Sequence, residues 1–396
     1  MANYNYLGLA PFLRGSITGE NLNGAAQTLM QLAEKDHYDT NLWMNLSTAM
    51  LCLGQREVGL QIQAKTLELG RIYQLPSGAN PVLRLLVLMV PGDLSANTPL
   101  DCLLENGSIS LTHCFVTPAH PLPEAVPEHD AVFVAISESD HHRQMLLLLE
   151  AALANWPKPV INLPAKIPLT GRTVAGQLLQ DIPGLYIPST ERVSRPVLQN
   201  LALGAPVPQG LSLPVIVRPI DSHAGRGLAK VETAADIAAY LQTNQEPEFF
   251  VSRFVNYAGG DGNFRKFRIV LVDGEPFIAH MAVSSNWMVH YTNAGMYEDA
   301  AKREEEANFM SNFSQFSQRH RSSLNEIYRR TQLDYLCIDC AELQDGQLMI
   351  FEIGNAMVVH GMDPEPQFSY KKPHIQAIQQ AFINLLLKKT HHGQSA

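Results

Sequence analysis

The sequence predicts an α/β protein in four parts. These are a helical segment at 1–76, a small parallel-sheet domain at 77–186, and an α+β module in two pieces, 187–258 and 259–396. Three observations predict it. Apolar residues recur at helical spacing through the first part. Short β-branched runs then alternate with a helix. Beyond residue 187 come strands joined by a glycine loop and tight hairpins. The 396 residues suit two or three domains. Charged residues at 17% and apolar ones at 46% exclude a disordered chain. A formal charge of -9 argues against broad binding to nucleic acid, which needs cations on phosphates.

In the helical part, Leu22 to Ala33 carries its apolar residues on one face, and further helices are expected near 41–53 and 57–69. Gly54 separates them as a stop signal. Trp43, Leu46, Ser47, Met50 and Gly54 fall at the spacings of a tetratricopeptide helix and its turn. Ala25 and Gly59 are also 34 residues apart, the period of that repeat. The other reading is a plain helical hairpin packed on the next domain.

Strands are expected at 83–90, 108–116, 131–136 and 159–163, with a helix from about Asp140 to Trp156. No glycine fingerprint of a dinucleotide site comes after the first strand. Turn signals crowd residues 181–213.

Four segments of the second half carry the chemistry. The strand Pro214 to Pro219 contains Arg218, and a loop with Ser222, His223, Gly225, Arg226 and Gly227 comes next. Glycines around an arginine allow close backbone approach to an anion. The apolar strand Phe249 to Val255 is suited to line an adenine slot, or to serve as plain core. In Asn263 to Ala279, Asp273-Gly274 marks a hairpin. Alternation puts Lys266, Arg268 and Val270 on one face and Arg265, Phe267, Ile269 and Leu271 on the other. If the second face is core, Arg268 points into a cleft; a solvated face is the alternative. Finally, Leu336 to Leu343 and Leu348 to Ile353 form a hairpin through Asp345-Gly346. Asp339 sits on one strand and Glu352 on the other, with Asn355 just beyond, an oxygen set of the kind magnesium needs.

In this order, these segments resemble the ATP-grasp superfamily of carboxylate–amine ligases, with 77–186 as the domain that commonly precedes the nucleotide module. Asn293 in Tyr291-Thr292-Asn293-Ala294-Gly295 also falls at a family position. The resemblance implies ATP and magnesium, with manganese as the alternative ion. It implies Asp339, Glu352 and Asn355 as metal ligands, and Arg268 and Arg218 as catalytic cations. It implies nucleotide contacts at Arg218, Ser222, His223, Gly225, Arg226, Gly227, Ser252, Phe254, Val255 and Asp261. The reaction expected is joining of a small-molecule or peptide carboxylate to an amine or other nucleophile through an acyl phosphate, releasing ADP. A small-molecule kinase or a non-catalytic scaffold on the same fold are the alternatives.

The sequence departs from the family pattern in several places. The usual strand-end lysine is Arg218, and no lysine lies between Lys166 and Lys230, leaving Arg192 or Arg195 as substitutes. The hinge glutamate is Arg253, and the metal motif reads Glu-Ile-Gly-Asn, one residue longer than usual.

Other features are weighed alongside. Cys337 and Cys340 form a lone CxxC whose members face opposite sides of a strand, so no zinc is expected. Ser284 to Tyr291 is expected to line an acceptor pocket or to pack as a strand, and Phe368 to Lys372 to form a basic lip or a solvated turn. The stretch Met296 to Met310 is expected to act as a lid or to pack as a static helix. Five scattered cysteines and no signal-like N-terminus suit the cytoplasm. No apolar run approaches a membrane span. A protein partner through the helical part and a homodimer complete the expectations.

Overall fold

Four helices open the chain: α1 (Ala10–Thr18), α2 (Leu22–Ala33), α3 (Thr40–Cys52) and α4 (Arg56–Leu69). The computed structural model describes residues 4–78, 80–105, 107–123, 125–205, 211–222 and 225–392. Asp39 caps α3 by accepting from the amides of Asn41 and Leu42, which satisfies N–H groups that a helix start leaves unpaired. The helices dock on the parallel-sheet domain. Buried Asp101 accepts from the amide of Ala10 at 3.0 Å, and Gln63 exchanges hydrogen bonds with Gly92. This is the packed-hairpin arrangement.

Strands β1 (Ile72–Gln74), β2 (Leu83–Met89), β3 (Ile109–Phe115), β4 (Ala131–Val134) and β5 (Val160–Ile161) form the first sheet, with α5 (Leu100–Leu103) and α6 (Arg143–Leu153) between them. Its order is β1-β3-β2-β4-β5. All pairs are parallel except β1 on β3. Burial on both faces explains the nearly unbroken apolar runs of β2 to β4. The edge strand β1 comes from the helical part, which sequence periodicity does not mark as strand.

After α7 (Arg172–Leu179), the region crowded with turn signals contains β6 (Leu185–Tyr186), β7 (Thr190–Ser194) and α8 (Arg195–Ala202). Next come β8 (Val215–Pro219), β9 (Ala229–Val231), α9 (Ala234–Thr243) and β10 (Glu248–Arg253). β7, β10, β8 and β9 make a four-stranded antiparallel sheet. Its inward side chains, among them Val217, Phe249 and Val251, pack beneath α8 and α9. Phe249 and Val251 are therefore core, while Phe250 and Ser252 lie on the other face.

The last sheet runs β12-β11-β13-β14-β6. Its strands are β11 (Phe264–Val272), β12 (Glu275–Ser284), β13 (Tyr335–Glu342) and β14 (Leu348–Gly354), plus β6 from upstream. Asp273 and Gly274, both at positive φ, turn β11 into β12. Between β12 and β13 lie α10 (Ala300–Ser311), α11 (Phe313–Arg319) and α12 (Arg321–Thr331), and α13 (Lys372–His392) closes the chain. The lid expectation gives way to packing here: Met296, Glu306 and Met310 are buried. The first and last sheets share a core, where Phe133, Tyr335 and Phe382 meet edge to face. Asn162 splices them, donating to the Tyr335 carbonyl and accepting from the Tyr335 amide, both at 2.9 Å. No described helix is long and apolar enough to cross a membrane.

Candidate active site

Strand register builds the site. Across the last sheet His280, Arg268, Asp339 and Glu352 are direct cross-strand partners, one each from β12, β11, β13 and β14. Phe267, Ile269 and Leu271 enter the core, so Lys266 and Arg268 take the opposite face, as alternation requires. Irregularities in pairing come directly after Arg268 and Asp339, and such bulges re-aim side chains beside functional sites.

Asp339 is fully buried. Arg268 grips it with two bonds, Nε to Oδ1 at 2.8 Å and Nη2 to Oδ2 at 3.0 Å. Lys266 Nζ lies 2.7 Å from Oδ2. Burial alone raises the Asp339 carboxyl; Arg268 and Lys266 outweigh it and hold the group well below the usual carboxylate range. Glu352 is paired with Arg172, the first residue of α7. Burial pushes this carboxyl up as well, but Arg172 and its fellow cations bring it down to about 2.

The small sheet faces this row. Arg218 on β8 is within electrostatic reach of Arg172 and Glu352, and burial followed by Arg172 pushes its guanidinium down to about 9. Its Nε donates to the Ser222 hydroxyl at 3.2 Å. Gly225 has φ +74°, and a Cβ there would stand 2.5 Å from His290 Nε2, so the glycine loop closes directly on an imidazole of the last sheet's loop. Burial, then Lys266, lowers the His290 pKa. Burial, then Arg268, lowers that of His280 well below its ordinary value. Both rings are held neutral.

Three buried side-chain polar atoms among the described residues have no hydrogen-bond partner: His280 Nδ1, His290 Nε2 and Asn355 Oδ1. His280 is a member of the row, His290 overhangs it, and Asn355 lies three residues beyond Glu352. Unpaired buried polar atoms are rare in folded proteins, and their concentration here marks where a ligand completes the structure.

The structure thus brings Arg268, Asp339, Glu352 and Arg218 together. Ser222, Gly225 and Gly227 lie on the loop beside Arg218, with Arg226 exposed; His223 lies outside the described residues. Ser252 is half-buried on β10, opposite Ile216 of β8. Phe254 stacks under Lys230 at 4.2 Å and against Trp287, and Val255 packs near Tyr257. Asp261 sits at the surface, held by Arg265 and Asn263. Asn355 turns its amide nitrogen to the Ile136 carbonyl at 2.9 Å, and Thr98 donates to the Asn355 carbonyl. It therefore fastens the last sheet to the first. Arg192 is on the surface with Asp140 and Glu248, and Arg195 is spent on the Leu241 and Asn244 carbonyls. Neither reaches the row as a substitute lysine. Sequence reasoning missed Arg172, which is distant along the chain, and His280, which only register joins to Arg268.

The oxygens do not suit a dication as they stand. Both Asp339 oxygens are engaged by cations, Glu352 carries Arg172, and no contact joins Asn355 to either acid. Among the described residues no three His, Cys, Asp or Glu side chains gather as a metal site. Cys337 and Cys340 are free and enter different cores. Two large surface depressions, about 620 and 560 Å³, lie elsewhere. The first is lined by Arg84 and Asp130, which are already paired.

A parallel-sheet domain preceding a small antiparallel sheet that faces a larger one, with acids on adjacent strands, is the arrangement the sequence resemblance implies. No family model and no curated protein sequence matches the chain. Among solved structures, the chain is similar to a Bacillus anthracis D-alanine–D-alanine ligase complexed with ATP, at 12% identity, covering 80% of this chain and 99% of that one, with a TM-score of 0.47. It is similar to the VanG D-Ala:D-Ser ligase of Enterococcus faecalis at 12% identity, with 76% and 99% covered and a TM-score of 0.47. A RimK-domain ATP-grasp protein of Sphaerobacter thermophilus matches at 15% identity, with 77% and 99% covered and a TM-score of 0.42.

Proposed function

We propose that the chain is an ATP-dependent ligase that activates a carboxylate as an acyl phosphate for attack by an amine or another nucleophile, releasing ADP and phosphate. The observation that carries this reading is the row His280–Arg268–Asp339–Glu352 facing Arg218 across a cleft. Four cations converge there, from three separate parts of the chain. Preorganised cations stabilise charge on a transferring phosphoryl group at no reorganisation cost. Lys266 and Arg268 are fixed by Asp339, and Arg172 by Glu352, so each holds its place before a ligand arrives. The Gly225 turn brings backbone close to the same space. His280 and His290 each leave one ring nitrogen unpaired, an acceptor or an N–H donor according to the tautomer.

Magnesium supplies Lewis-acid charge in such reactions, but here cations engage both Asp339 oxygens and one of the Glu352 oxygens. ADP release in mixtures of candidate acids and amines tests the ligase reading. Hydroxylamine should trap an acyl phosphate as hydroxamate; AMP and pyrophosphate as products would sink the acyl-phosphate route.

A second reading, a nucleotide-binding module without turnover, is favoured by the cation cover on Asp339 and by the missing phosphate lysines. Tight nucleotide binding with no ADP formed from any acid would select it.

A further inference from the structure

The charge balance of the cleft is unusual. Lys266, Arg268 and Arg172 contact two carboxylates, Asp339 and Glu352. Arg218 adds a fourth cation within reach of both Arg172 and Glu352. Glu138, the next acid outward, lies 3.9 Å from its own partner Arg143. Cations therefore exceed anions where a nucleotide's phosphates would sit.

The neighbouring groups respond to that excess. After burial itself, the largest influence on Arg218 is the like charge of Arg172. On His280 it is Arg268 and then Lys371, with Asp339 opposing, and on His290 it is Lys266, with Asp339 and Glu352 opposing. On each group the leading influence after burial is a cation, which disfavours adding a positive charge. Coulomb energies grow as the local dielectric falls, so a dication placed beside Asp339 would meet Lys266 and Arg268 at close range. A polyanion meets the opposite field.

Donor geometry agrees. Asp339 offers no oxygen free of a cation, with Arg268 on both and Lys266 on one. Asn355 leaves its Oδ1 unpaired, but its amide nitrogen holds the side chain to the first sheet, and no hydrogen bond joins it to either acid. Magnesium demands near-octahedral oxygen ligands and yields its waters reluctantly. For this cleft to hold it, Lys266, Arg268 and Arg172 would first have to leave buried or half-buried partners.

We propose that the cleft binds nucleotide polyphosphate as the free anion, with Lys266, Arg268, Arg172 and Arg218 standing where a divalent cation would otherwise neutralise the phosphates. The proposal rests on the nucleotide site of the ligase reading, but not on turnover. The cations exchange their carboxylate contacts for phosphate oxygens. The acids remain as the template that keeps the cations aimed.

Calorimetry of the full chain with ADP decides it. In EDTA, ADP binds no more weakly than in excess magnesium, because the free nucleotide carries more negative charge than its magnesium complex. Binding more than threefold tighter with magnesium, or binding in neither condition, overturns the proposal. Lys266→Gln weakens ADP in EDTA about tenfold, the equivalent of ~1.4 kcal/mol. Arg265→Gln, one residue away but facing Asp261 and Glu305, leaves it unchanged. Arg172→Gln serves as a second loss variant if Lys266→Gln melts early, and equal losses in 265 and 172 variants count against the idea. Manganese EPR on the nucleotide-free chain shows only free ion; a bound signal abolished by Glu352→Gln overturns it. Binding in EDTA without hydroxamate removes the ligase reading and keeps this one, whereas binding only with magnesium does the reverse.

Discussion

Two buried ion clusters lie along the last sheet, and they are built to opposite ends. The first is the cation-rich row around Asp339. The second centres on Lys371, whose Nζ is 2.6 Å from Asp363 and 3.8 Å from Glu306. Here acids outnumber the lysine, and neutral donors make up the difference. Tyr291 and Tyr370 each donate to Glu306 Oε2 at 2.6 Å, the Met281 amide donates to Oε1, and Tyr297 donates to Asp363 at 2.7 Å. The Tyr291 ring covers Lys371 at 4.0 Å. The second cluster contributes no unpaired side-chain atom, while the first is bordered by all three of those found among the described residues. A closed network fastens; an open one awaits a ligand. The expected basic lip at Phe368 to Lys372 is thus corrected: Phe368 and Lys371 are buried inside a clamp between α10 and α13.

The largest effect that distinguishes the clusters is on stability. Lys371→Met leaves Asp363 and Glu306 buried without their cation, and loss of one partner from such a pair costs about 3–5 kcal/mol. Urea unfolding should show that loss. A chain that kept wild-type stability would break the contrast by making the second cluster dispensable.

Next is the response to acid. His360 sits beside Asp363 and Lys371, and burial brings its pKa down to about 4. The folded pKa is below the unfolded value of about 6.5, so the unfolded chain binds more protons between those limits. Stability is full above about pH 6.5 and falls as pH drops toward about 4, by at most ~1.4 kcal/mol per unit. His360→Asn should flatten that limb. A further loss from about pH 4.5 to about pH 2 belongs to Glu352, whose depressed carboxyl must then be protonated; Glu352→Gln removes that limb only.

Tyr370→Phe is milder. Glu306 keeps Tyr291 and the Met281 amide, so the cost is one hydrogen bond to a charged acceptor, about 1.5–3 kcal/mol. ADP affinity should stay unchanged, since the row is untouched; a parallel loss of affinity would mean that the clusters act as one.

Much of this contrast is legible in the sequence, and the illegible part has a physical reason. Alternation in Arg265 to Leu271 already places Lys266 and Arg268 on one face, and Asp-Gly turns mark both hairpins that carry the row. Register is another matter. That Arg268 meets Asp339, and Asp339 meets Glu352, is a consequence of ladder pairing between distant segments. Arg172 reaches Glu352 only because α7 abuts β14, which no local pattern announces. Asn355 reads as a ligand from its neighbourhood in sequence. The extra Gly354 shifts it by one position along the chain, and its amide nitrogen is spent on Ile136, with Oδ1 left unpaired. Lys371 reads as a surface residue because lysines usually are; its burial depends on three tyrosines that sequence scatters from 291 to 370. Likewise β6 and β7 hide among turn signals because each is short and borrows its partners from elsewhere.

The smallest effect is expected at Arg192, and it sharpens the comparison from outside. Arg192 is one of the two arginines that the sequence offers as a substitute for a missing phosphate lysine. Its side chain instead bridges Asp140 and Glu248 at 2.5 Å each, with about two-fifths of all three side chains exposed. Exposed pairs gain little, because water and salt screen them and long side chains lose freedom. Arg192→Ala should therefore shift the melting temperature only slightly, and by less still in 0.5 M salt, where the Debye length falls to roughly 4–5 Å. ADP affinity in EDTA should match the unaltered chain, in contrast to Lys266→Gln. The two variants remove the same unit of charge, so net charge alone predicts equal weakening. If Arg192→Ala weakened ADP as much as Lys266→Gln, the cleft would be responding to the overall field of the protein, and the particular cations on Asp339 and Glu352 would lose their special role.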